Sequence, residues 1–71
     1  MDTVIEKKLG KKIKELREKN RITQEKLAEL SGIDYKHIQL LESKNPPAAK
    51  LNTIEKLAKA FKIKPSELIN F

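Results

Sequence analysis

The sequence predicts an all-α fold of five short helices around one small core. Three observations carry this. Apolar residues recur at steps of three and four, cap residues precede the apolar runs, and no stretch alternates in the way a half-buried strand would. Leu, Ile, Val and Phe supply 20 of the 71 residues, enough for a charged chain to collapse, though so short a chain can be only one domain with little stability to spare.

The first helix is marked by Ile5, Leu9, Ile13 and Leu16, which form one apolar face with lysines over the rest. Gly10 lies inside it at a cost of about 1 kcal/mol relative to alanine, so the ordered helix leans on packing there. Asn20-Arg21-Ile22-Thr23 reads as a stop and a restart. Thr23 is an N-cap, and Ile22 and Leu27 stand at the spacing of a hydrophobic staple. Lys26 occupies the place where a capping box needs an acid or amide, which leaves the cap half formed. The second helix then runs from Gln24 to about Ser31 with Leu27, Ala28 and Leu30 inward.

Gly32 supplies the left-handed residue that ends this helix, and Asp34 offers the next cap. The third helix runs from Tyr35 to about Ser43 with Ile38 and Leu41 inward. Lys44 to Lys50 is a loop, because Pro46 and Pro47 remove donors and push Asn45 out of the helical region. Leu51, Ile54, Leu57, Ala58 and Phe61 mark a fourth helix ending near Lys62, and Pro65 opens a short fifth.

Composition excludes several functions. The chain has no cysteine and a single histidine, so disulfides, thiolate chemistry and a metal centre fall away and no cofactor is expected. No nucleophile and base pair or glycine-rich phosphate loop points to an enzyme. There is no apolar run long enough for a membrane span and no signal-peptide stretch between Met1 and Gly10, so a cytoplasmic protein is expected. The net charge of +6 favours a polyanion. Glu6 to Arg21 holds eight basic residues against three acidic ones. The lysines of this first helix read as a solvated face that adds to a long-range positive field. A membrane-surface role for the helix would expose apolar residues that a small core needs.

The informative feature is the pair of helices joined by a turn of three residues, Gly32 to Asp34. So short a connection makes the helices cross steeply, and Ala28 permits close approach. With Ile38 and Leu41 inward, Lys36, Gln39, Leu40 and Ser43 turn outward, with Tyr35 at the helix start. Lysine and glutamine hydrogen-bond base edges, and leucine can touch a thymine methyl.

Residues 23–42, TQEKLAELSGIDYKHIQLLE, followed by LNTIEKLAKAFKI, resemble the Cro and phage-repressor type of helix-turn-helix domain, the XRE-like family. The resemblance spans Leu9 to Ile69 and implies a five-helix, lambda-repressor-like fold covering residues 1–71, with the helix-turn-helix at about 23–43. It further implies a third helix that reads the major groove of double-stranded DNA, and a homodimer on a palindromic operator. Gln24, after its cap Thr23, matches a phosphate contact at a helix start. Tyr35, Lys36, Gln39 and Leu40 match groove-facing positions, and Ser43 and Lys50 match backbone contacts. Arg17 and Glu42 match a partly buried structural ion pair. Leu68, Ile69 and Phe71, at the last helix, are the expected dimer surface.

The chain departs from relatives in Ser43-Lys44, where Asn-Gly is usual, in Ala49-Lys50, where Pro-Ser usually caps the fourth helix, and in apolar Leu40. The implied function is a transcriptional regulator, a repressor in the first instance. The alternative is a protein-interaction module, an antitoxin or adaptor, on the same fold with a protein partner.

Overall fold

Helices as short as these are marginal alone, so their ends and their packing decide whether they form. A computed structural model of the chain describes residues 4–71; the first three residues of the expected domain lie outside that range. Five helices follow in order: α1 Val4–Lys19, α2 Gln24–Ser31, α3 Tyr35–Leu41, α4 Leu51–Phe61 and α5 Pro65–Leu68. The fold is all-α, and none of its helices among the described residues is long and apolar enough to cross a membrane.

Local chemistry accounts for most boundaries. The Oγ1 of Thr23 accepts from the Lys26 amide at 3.0 Å and starts α2. Gly32, at φ 74°, ends α2, its amide donating to the Ala28 carbonyl. Asp34 then accepts from the Lys36 amide at 3.0 Å and starts α3. No side chain caps α4, where Lys50 stands at the N-cap. The Lys64 amide donates to Glu67 Oε1 at the start of α5, 2.8 Å away.

Two helices end on a left-handed residue that is not glycine: Arg21 at φ 56° after α1 and Lys62 at φ 59° after α4. Each sits in a six-to-one hydrogen-bonded closure, Ile22 amide to Arg17 carbonyl and Ile63 amide to Ala58 carbonyl. α3 stops at Leu41, short of the expected Ser43, because Glu42 leaves the helix at φ −93°, ψ 0° and turns its side chain to other work.

All five helices feed one core. Ile13, Leu27, Ile38, Leu41, Leu57 and Leu68 are fully buried, with Leu9, Ile33, Ile54, Ala58 and Phe61 around them. Burying such a side chain stabilises by about 1.5–3 kcal/mol each. α2 lies against α3 and α4, α5 against α4, and α1 touches α3 and α5.

Three residues of the expected apolar faces are outside this core. Ile5 is 67% exposed, Leu30 50% and Leu51 87%. Each is close to a helix end, where a partner helix of only a few turns no longer covers it.

Gly10 shows why α1 tolerates a glycine. A Cβ built there would run into the carbonyl oxygen of Leu41. Glycine lets α1 press directly on the last turn of α3 and seats that helix against the body.

Candidate nucleic-acid interface

The end of α3 is anchored by charge as well as by contact. Arg17 of α1 grips Glu42 with two parallel hydrogen bonds, Nε to Oε2 at 2.9 Å and Nη2 to Oε1 at 3.0 Å. Its Nη1 donates to the Ile22 carbonyl at 3.1 Å, which ties the same guanidinium to the α1–α2 turn. The side chains are only 15% and 4% exposed. Hydrogen bonding to Glu42 raises the Arg17 pKa above its ordinary value, against the burial that opposes its charge; the charges of Glu42 and Glu18 add to the rise. Fork-to-fork pairing of this kind fixes direction as well as distance.

Gln24 belongs to this network. Its Nε2 donates to Glu42 Oε1 at 3.2 Å, so one carboxylate ties together the end of α1, the start of α2 and the end of α3. The sequence alone suggests only a phosphate contact for Gln24. The signal there is its position beside a cap, which says nothing of a partner eighteen residues away. One amide hydrogen of Gln24 is committed to Glu42, and the second is left for an outside acceptor.

Held this way, α3 offers one exposed, largely polar face. Tyr35, Lys36, Gln39 and Leu40 are all exposed along it, and Leu40 at 47% contributes the apolar patch. Seven residues make a helix of ~10 Å, a length that fits a groove about 12 Å wide. At its edges the hydroxyls differ. Thr23 Oγ1 accepts from Lys26 and keeps its own proton for an outside acceptor. Ser43 gives its proton to the Leu40 carbonyl at 2.6 Å, so any outside acceptor has to compete with that bond. Lys50 is exposed at the start of α4.

The structure divides the residues expected at a dimer surface. Ile69 and Phe71 are half exposed, but Leu68 has no exposed area and belongs to the chain's own core. Its neighbours on α4 and α1 cover it because the single turn of α5 packs flat on them. Ile69 and Phe71 instead line an open apolar groove of about 380 Å³ with Ile5 and Leu51.

Two short helices crossing at a glycine turn, the second seated end-on against α1 and exposed along a polar face, define a helix-turn-helix DNA-binding domain. The model of the Cro/C1-type HTH DNA-binding domain matches residues 12–71, and the chain belongs to that family. Among solved structures, the restriction-modification controller protein C.AhdI from Aeromonas hydrophila superposes with a TM-score of 0.82 at 38% identity, over 89% of this chain and 94% of that one. No curated protein matches the chain. The protein is a DNA-binding transcriptional regulator.

Proposed function

We propose that this regulator binds a palindromic operator as a homodimer and represses by occupying it, residues 1–71 working as one domain on DNA in the cytoplasm. The observation that supports this best is the exposed α3 face beside a fully bonded anchor. In this reading Tyr35, Lys36, Gln39 and Leu40 enter the major groove. Thr23, Gln24, Ser43 and Lys50 hold the phosphates on either side. The net charge of +6 draws the chain to DNA without choosing a sequence.

The exposed apolar residues Ile5, Leu51, Ile69 and Phe71 supply a surface for a second copy, and a two-fold operator calls for a two-fold dimer. The likeness to a restriction-modification controller protein supports the same kind of gene control here. The groove equally fits a different protein, the antitoxin or adaptor reading, and solution mass separates the two.

Selection of bound duplexes from a random library, with the mass of the complex, tests the proposal. A symmetric selected site and a mass of two chains are expected. Lys36→Ala should relax the base preference at one position of each half-site and weaken binding by roughly 1–3 kcal/mol. No preference for any duplex over random DNA would sink the reading.

A further inference from the structure

Lys7, Lys11 and Lys14 recur along α1 at steps of four and three. At 100° per residue they fall within about 60° of one another and form a stripe ~10 Å long. The stripe borders the seam between α1 and α3, because Gly10, against the Leu41 carbonyl, and Arg17, bonded to Glu42, lie along its flank. Across the seam the chain leaving α3 brings in Lys44. The four lysines and Ser43 line one open cleft of about 330 Å³.

The one carboxylate lining that cleft is Glu42, and its oxygens are taken by Arg17 and Gln24. It therefore does not neutralise the lysines, and no other carboxylate pairs with them among the described residues. The cleft opens at Ser43, just past the end of the reading helix. A helix of ~10 Å lying in a groove about 12 Å wide places whatever follows its end at the phosphates that bound the groove. A stripe of ~10 Å follows several phosphates of a strand that rises about 3.4 Å per nucleotide; a single small anion would need only one end of it.

The geometry points to Lys7, Lys11, Lys14 and Lys44 as a phosphate-binding cleft that grips the DNA backbone beside the segment read by α3. This rests on α3 lying in the major groove. The first helix then has two kinds of lysine: a stripe that touches DNA, and Lys8, Lys12 and Lys19, which lie about 100–140° further round the helix and serve only the general field.

The test compares two charge-matched variants of the intact chain on a selected duplex, measuring affinity between about 50 and 200 mM salt. The triple variant K7Q/K11Q/K14Q should lower the salt slope by about 0.9 for each phosphate that is no longer neutralised, leave the base preference unchanged and keep the wild-type melting temperature. The control K8Q/K12Q/K19Q should lower the slope by less than a third as much. Equal slopes in the two triples would overturn the cleft in favour of a diffuse field. So would a lowered melting temperature with unchanged binding, because the lysines would then only offset the carbonyl end of α3. A wild-type chain that binds no duplex overturns both the cleft and the groove reading beneath it, whereas retained binding with an unchanged slope in the first triple overturns the cleft alone.

Discussion

The seam between α1 and α3 and the face shared by α1, α4 and α5 use similar short helices but end in opposite states. At the seam, Gly10 admits the Leu41 carbonyl, and Arg17 and Gln24 both bond to Glu42. On the other face Ile5, Leu51, Ile69 and Phe71 stand open around a groove, and α4 starts without a side-chain cap. The closed seam determines where α3 points, which the proposed reading of DNA by that helix requires. The open face leaves apolar area uncovered, the area that the proposed dimer would bury. A chain with little core thus closes one seam with polar bonds and leaves apolar surface uncovered on another face.

The sharpest way to break this contrast is Glu42→Ala. It strips partners from both Gln24 and a largely buried Arg17, and a loss of about 3 kcal/mol is expected in urea unfolding. The double variant Arg17→Met, Glu42→Leu should lose less than the single one, since no buried charge is stranded. If the single variant unfolds at the wild-type midpoint, the seam does not anchor α3.

Gly10→Ala comes next. Helix propensity alone predicts a gain of about 1 kcal/mol, but the new Cβ meets backbone that cannot swing aside. Overpacking costs about 1–3 kcal/mol, so the measured midpoint should fall; a rise would mean that α1 and α3 slide apart easily.

Changes away from the seam should be smaller. Lys62→Gly relieves a left-handed lysine at the end of α4 and should stabilise by up to about 1 kcal/mol. Ile69→Ser with Phe71→Ser should alter the monomer's unfolding by roughly 0.5 kcal/mol or less, because these are surface positions, while sedimentation shifts from two chains to one. A large fall in monomer stability would show that the open face is core after all.

The smallest effect belongs to the exposed Lys26–Glu29 pair at 2.8 Å. The hydrogen bond from Lys26, and then its charge, lower the Glu29 pKa from its ordinary value. A lowered carboxylate stabilises above its unfolded pKa and stops doing so as the pH falls through its folded one. Lys26→Ala should therefore narrow the gap between neutral and acid stability only slightly, since exposed pairs are screened.

Much of the fold was legible because it is local. Thr23, Gly32 and Asp34 mark ends through bonds to residues two to four positions away, and the apolar periods locate the helices between them. Ile5, Leu30 and Leu51 obey the same periods yet stay exposed, since a period names a face without saying how far a neighbour extends over it. The residues Tyr35, Lys36, Gln39 and Leu40 could be named as one outward face from α3 alone. The tie from Gln24 to Glu42 could not, because it joins residues eighteen apart in the chain.

By itself the sequence determined the five helices, the caps of α2 and α3, the glycine turn and the outward face of α3, all consequences of backbone chemistry within a turn or two. Tertiary structure alone decided that Gly10 is a contact and not a weakness, that Leu68 is core while Phe71 is surface, and that Lys7, Lys11 and Lys14 share a cleft with Lys44. Each of these depends on how far one helix reaches along another, a distance set by the packing of the whole chain.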